Sequence, residues 1–237
     1  MNAKRGYVPE DERNFSPEAV SVLRTASKHV LYLINEGYDL KQAATFVGNH
    51  FVLSERQRLS IARSISSDRQ LMTRKAKEKA SFEGGEVWID GFNTVITLEV
   101  LFSGSPLFYC MDETIRDLAS LRGTYRIIPE TERAVFALLE ELKELKVRTA
   151  HILLDEPVSN SGRLKALILS LGEGYPFELD IRLLKAVDSA LWDKENVITA
   201  DAIILDHCIS WFNLIKRCAE KYNAETIRVW EKEQEHA

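Results

Sequence analysis

The spacing of apolar residues changes once along the chain. Before residue 80 they recur every three or four positions; from residue 86 they gather in short solid runs between helical stretches. The first pattern predicts helices. Ser16-Pro17-Glu18 reads as a helix start, with a capping hydroxyl, a proline at the first helical position and an acid in the first turn. Val20, Leu23, Val30, Leu31 and Ile34 keep helical spacing to about Asn35, and Gly37 ends the helix. Asp39 predicts the cap of a short second helix, Leu40 to Val47, stopped by Gly48-Asn49. Ser54 caps a third, Glu55 to Ile65, with Leu59, Ala62 and Ile65 on one face. Residues 1–15 read as polar and loose, and Arg74 to Lys79 as a charged face or linker.

Phe82-Glu83-Gly84-Gly85 marks a boundary, and strands then alternate with helices. Strands are predicted at 87–90, 107–110, 149–154, 177–184, 197–199 and 226–230. Helices are predicted at 94–102, 111–121, 129–146, 160–171, 186–192 and 203–220. This order implies a mostly parallel sheet covered by helices. The expected organisation is therefore a small all-α module, residues 1–80, followed by an α/β domain, residues 86–237.

Composition narrows the class. With 237 residues, 45% hydrophobic and 28% charged, the chain can bury a core, and no apolar run reaches membrane-span length. The first fifteen residues lack the apolar core of a signal peptide. Cys110, Cys208 and Cys218 are three, without a C-x-x-C pair, so neither a disulfide framework nor a zinc site is expected. A cytoplasmic protein is the expectation. Charge is uneven: residues 1–80 carry 14 Lys and Arg against 9 Asp and Glu, whereas 81–237 carry 17 against 27. That split suits a basic arm holding a polyanion beside a domain that concentrates carboxylates. Segments 40–47 and 55–65 have the look of a helix-turn-helix with the second helix as reader. Arg56, Arg58, Arg63, Arg74, Lys75, Lys77 and Lys79 are the expected contacts to RNA or DNA phosphates. A solvated helix face is the competing reading of the same charges.

Three aspartates end apolar strands: Asp90 after Val87-Trp88-Ile89, Asp155 after Thr149–Leu154, and Asp201 after Val197-Ile198-Thr199. Asp188 sits on a helix before the last of these. Parallel strands put their C-terminal ends on one edge. Carboxylates gathered there repel unless a cation neutralises them, which predicts Mg²⁺ or Mn²⁺ on oxygen ligands. The competing readings are local: Asp90 and Asp201 as turn or capping residues, and Asp155 as a cap for the next segment. Asp112, Glu113 and Asp117 read as the acidic first turn of a helix.

IDGFN at 89–93, KAVDSAL at 185–191 and VITAD at 197–201 resemble the motif series of PIN-like nuclease domains, in particular the NYN branch. The resemblance covers about residues 86–210 and departs at Ile203, where that branch places a further acid. It implies Asp90, Asn93, Asp188, Thr199 and Asp201 as metal-site and catalytic residues, with Asp155 as a fourth acid. It implies metal-dependent cleavage of single-stranded RNA. The whole chain also resembles an uncharacterised family of archaeal proteins with a helical module before such a domain. A dehalogenase-like phosphatase would need an acid at Phe92. A phosphate could instead rest on the VSNSG loop at 158–162. The non-enzymatic alternative is a nucleic-acid-binding or regulatory protein whose PIN-like part serves as a homodimer scaffold.

Overall fold

A computed structural model of the chain describes residues 4–82, 84–119 and 123–231. Residues 1–3 of the N-terminus expected to be loose, Glu83 of the boundary, the end of the 111–121 segment and residues 232–237 of the expected second domain lie outside the described residues.

Five helices come first: α1 (Asp11–Asn14), α2 (Pro17–Asn35), α3 (Leu40–His50), α4 (Glu55–Ser64) and α5 (Asp68–Lys77). Ser16, Asp39, Ser54 and Ser67 each accept a backbone amide from the first turn of the helix they precede. Each satisfies a donor that the helix start leaves open. Residues 4–15 are tied down rather than loose. Arg5 Nε donates to Glu99 Oε2 at 2.7 Å, and Asp11 accepts from Arg56 Nε at 2.8 Å. Gly48 does not stop α3 but lies inside it, where a Cβ would meet the Arg58 stem at 2.7–2.8 Å. The glycine seats that stem, and the helix runs on. Helix α5 occupies the stretch read as a linker; its Ser67/Gln70 capping box starts it.

The sheet consists of β1 (Glu86–Asp90), β4 (Thr149–Asp155), β5 (Glu178–Leu184) and β6 (Val197–Ile198), all parallel, in spatial order β5-β4-β1-β6. Alternation along the strands sorts the two faces. Val87, Ile89, Ala150, Ile152 and Leu154 share a core with α6 (Gly91–Ser103), α7 (Pro129–Glu144), α8 (Ser161–Leu171) and α11 (Leu214–Lys221). Leu153 and Trp88 face α9 (Val187–Leu191) and α10 (Ala202–His207), around the fully buried Trp211. Each fully buried Val, Leu or Ile among them contributes roughly 1.5–3 kcal/mol relative to exposure.

Three predicted elements differ. The described part of the 111–121 segment, residues 111–119, does not form a helix: β2 (Leu107–Tyr109) and β3 (Ile115–Asp117) make an antiparallel hairpin. The Asp112 carboxylate accepts from the Thr114 amide and hydroxyl, and Glu113 takes a positive φ of 62°. The acids thus make a turn, as short side chains that bond nearby backbone do. The long helix expected over 203–220 is broken between α10 and α11. There Val197 donates to Ser210 O and Phe212 donates to Val197 O, which lays the chain beside β6. Residues 226–230 form no strand. Ile227 makes one bridge to Phe108, and Val229 and Trp230 are buried with the helices.

The two expected domains share contacts. Phe108, Cys110, Leu118, Val229 and Trp230 belong to the same core cluster as Leu23, Val30, Val47 and Ile61. Lys79 donates to Trp211 O and Trp211 to Lys77 O, so the joint between the two parts runs beside the sheet. Among the described residues no helix is long and apolar enough to cross a membrane.

Candidate functional site at the sheet edge

The order β5-β4-β1-β6 reverses direction at β1: the chain steps outward to β4 and β5, then returns to β6 on the other side. Open α/β sheets bind ligands at such a reversal, beyond the C-terminal strand ends. Asp90 and Thr199 meet there. Gly91 lets β1 turn at once into α6, since a Cβ would stand 2.8 Å from Leu153 O and 2.6 Å from Leu154 Cδ2. Thr199 Oγ1 donates to Asp90 Oδ2 at 2.9 Å, and the Asp201 amide donates to Thr199 Oγ1 at 3.0 Å. Asn93 Oδ1 accepts from the Ala200 amide at 2.8 Å. The two motifs, 109 residues apart, therefore hold each other. The capping readings also hold: Asp90 Oδ1 accepts from the Asn93 amide, and Asp201 Oδ1 from those of Ile203 and Ile204.

Six carboxylates are buried among the described residues: Asp11, Asp90, Glu99, Asp112, Asp117 and Glu141. Five have a cationic partner within salt-bridge distance: Arg56 for Asp11, Arg5 for Glu99, Arg74 and Arg116 for Asp112, Arg63 for Asp117, and Arg217 with Lys221 for Glu141. Asp90 has none among the described residues. Burial pushes its carboxyl up to about 7; the Thr199 hydroxyl opposes this, and the charges of Asp201 and Asp188 add to it.

Asp155 and Asp188 are also raised, each first by burial, then by Asp188 acting on Asp155 and by Asp201 acting on Asp188. The four acids thus share one negative field. They do not share one coordination sphere as placed: among the described residues, no group of three or more His, Cys, Asp or Glu side chains stands ready to hold a metal ion. The donor chemistry nevertheless fits a hard divalent cation, being carboxylate oxygen with no competing ammonium or guanidinium on Asp90. Mg²⁺ keeps several waters and needs one or two carboxylates rather than a full cage.

The basic residues are differently employed. Arg74 is not a surface contact: it is buried, donating to Asp112 Oδ2 and Asp206 Oδ1, both at 2.6 Å. Arg56 is spent on Asp11 and two carbonyls, and Arg58 on Leu53 O and Asn49. Lys77 Nζ donates to Asp206 O at 2.7 Å. Lys75 is exposed and pairs with Glu78, and Lys79 is half-buried. In α4, the expected reader, Glu55 is the one exposed residue. A recognition helix needs a free face to enter a groove, and α4, half-buried along most of its length, presents none. Arg63 is half-buried, with Nη1 donating to Asp117 O at 2.6 Å.

A cleft of about 220 Å³ lies between this helical layer and the sheet edge, lined by Arg63, Arg116, Asp117, Asn93, Ala200 and Asp201 among others. Asp90, Asp155 and Asp188 are outside that lining. Arg116 escaped the sequence reading because its segment read as a helix. Its Nε donates to Ala200 O at 2.6 Å, so Arg116 and Asn93 grip opposite sides of the residue before Asp201. No local sequence signal announces that contact, which spans 84 residues.

Two family models match the chain. A protein of unknown function (DUF434) matches residues 22–77, and a domain of unknown function (DUF5616) matches residues 79–217. They meet where Glu78 bridges to Trp211. The chain is 37% identical over 185 residues to "Uncharacterized protein MJ0935" of Methanocaldococcus jannaschii, covering 77% of this chain and 88% of that protein. No solved structure matches. With more than half of its residues matched by one of these models, the chain belongs to the family described as a domain of unknown function, DUF5616.

Proposed function

We propose that the chain is a Mg²⁺- or Mn²⁺-dependent ribonuclease that hydrolyses phosphodiester bonds of single-stranded RNA at this sheet edge. The observation that carries the reading is Asp90: a buried carboxylate without a cation among the described residues, set at the reversal of strand order and surrounded by further acids. Perturbed acids in such a place are commoner at functional sites than at structural ones. The resemblance of IDGFN, KAVDSAL and VITAD to PIN-like motifs supplies the reaction class. Neither matching family's description names an activity.

In this reading Asp90 and Asp201 are the central metal ligands, and Asp155 and Asp188 complete the negative pocket. A bound Mg²⁺ or Mn²⁺ would lower the pKa of water to supply the nucleophile and would neutralise the leaving oxygen. Thr199 holds Asp90 Oδ2 with its hydroxyl and, through that oxygen, fixes the Asp201 amide. Asn93 keeps the Ala200 peptide in place. Asp201 uses Oδ1 for its helix cap, which leaves Oδ2 for a ligand.

The absence of a three-donor group among the described residues favours a second reading, nucleic-acid binding without cleavage. The experiment that separates them measures cleavage of a single-stranded RNA against Mn²⁺ concentration, for wild type and Asp201→Asn. Cleavage that needs Mn²⁺, stops in EDTA and is lost in Asp201→Asn is the expected result. Activity that survives EDTA, or equal activity in the two proteins, contradicts the nuclease reading. Binding without cleavage establishes the second.

A further inference from the structure

We infer that the cleft between the helical layer and the sheet edge is a subsite for a phosphate group of the substrate strand, and that Arg63 is its anchor. This rests on the phosphodiesterase reading and names what the helical layer adds to it.

The three arginines of the cleft are not equivalent. Arg74 is held by Asp112, Asp206 and Ser66. Arg116 is held by Asp112, Ala200 O and Arg63 O. Arg63 spends Nη1 on Asp117 O, while its Nε and Nη2 have no partner among the described residues. Its backbone is fixed, because its carbonyl accepts from Arg116 Nη1 at 2.6 Å. Across the cleft, Asn93 has its Oδ1 engaged by Ala200, and its Nδ2 has no partner among the described residues.

Arg63 Nε and Nη2 and Asn93 Nδ2 therefore border one small space without a protein acceptor among the described residues, while Arg63 Nη1 stands 3.8 Å from the Asp117 carboxylate. A guanidinium with two N–H groups to spare matches the paired oxygens of a phosphate. The volume of about 220 Å³ is below the roughly 300–1,000 Å³ of drug-sized pockets, and Leu40 and Ala62 are apolar parts of its lining from the helical layer. It takes one phosphate and its sugar, not a duplex. Asp117, already paired with Arg63, borders the same space as Asp201, so an anion alone meets the repulsion of the Asp201 charge there. Removing that charge strengthens anion binding in the absence of metal, whereas removing Arg63 weakens it.

The test uses the full chain in EDTA at low salt, titrated with inorganic phosphate while the arginine Nε–H signals are followed by ¹H–¹⁵N NMR. The Nε–H signal that disappears in Arg63→Gln is expected to shift in wild type. Affinity is expected to fall about tenfold in Arg63→Gln, the scale of a lost charge-assisted hydrogen bond. Arg63→Lys keeps the charge without the fork and should fall between. Asp201→Asn should bind more tightly, and Arg69→Gln, on the exposed face of α5, should match wild type. Wild-type affinity in both Arg63 variants overturns the subsite. Loss of phosphate binding in Arg63→Gln without any Mn²⁺-dependent RNA cleavage by wild type supports the subsite and sinks the nuclease reading. Unchanged binding together with such cleavage does the reverse.

Discussion

Two buried charge clusters lie on either side of the residue 200 peptide, and they are built on opposite principles. On one side, Asp112 sits between Arg74 and Arg116, with Asp206 on the far side of Arg74. Burial pushes the Asp112 carboxyl up, but Arg116 and Arg74 outweigh it and hold the group below the usual carboxylate range. On the other side, Asp90 has equal burial and no cation among the described residues, and its carboxyl rises to about 7. The first cluster joins the helical layer to the hairpin and to α10. The second is held by hydrogen bonds alone, the Asn93 amide and the Thr199 hydroxyl donating to the two Asp90 oxygens. Charge that is matched in place serves the fold; the carboxylate left unmatched at the strand-order reversal is the one that the proposed function assigns to a cation.

The largest expected effect is in the matched cluster. Asp112→Ala leaves Arg74 and Arg116 buried with part of their partnership gone, and should cost about 3–5 kcal/mol. Urea unfolding measures it; a loss below ~1 kcal/mol would mean that the network is ornamental. Next is the turn that carries the unmatched cluster. Gly91→Ala forces a methyl against Leu153 O and Leu154, and should cost about 1–3 kcal/mol by the same assay.

Asp90→Asn should act with the opposite sign. Between about pH 4 and about pH 7 the folded chain holds the Asp90 proton that the unfolded chain has released, so the native state binds more protons. The stability this group contributes is full below the unfolded pKa and is lost as pH rises through about 7. An Asn does not titrate. In EDTA at pH 8 the variant should therefore be more stable than wild type, by about 1–3 kcal/mol once one lost hydrogen bond is allowed for. The gain should vanish towards pH 4. Thermal melts across that range decide it, and a variant less stable than wild type at pH 8 would mean that Asp90 is a structural group. The smallest effect belongs to the exposed Lys75–Glu78 pair, where Lys75→Ala should change stability by no more than about 0.5 kcal/mol.

The sheet was legible because its strands are short apolar runs ending on Asp90, Asp155 and near Asp201, and the helices between them impose parallel order. The second cluster could thus be read as a row of strand-end acids. The first could not. Apart from the local Asp112–Arg116 pair, its ion pairs span 38 residues from Arg74 to Asp112 and 132 to Asp206. Arg74 read as a surface charge because its neighbours Lys75 and Lys77 point outward or to backbone. Helix α5 did carry a local signal, the Ser67/Gln70 spacing, which the charged run after it obscured. The hairpin carried a misleading one, since acids that open a helix and acids that make a turn look alike until Glu113 takes its positive φ. Trp211 broke the expected C-terminal helix for a tertiary reason: it fills the space between β6 and residues 77–79.

The most direct test of the account is a calorimetric titration of Mn²⁺ into the full-length wild type and Asp90→Asn at pH 8, repeated at pH 6. A buried, unmatched carboxylate that awaits a cation predicts one strong site in wild type, weakened at pH 6 as Asp90 holds its proton, and lost in Asp90→Asn. Equal heats in the two proteins, or binding indifferent to pH across this range, would contradict it.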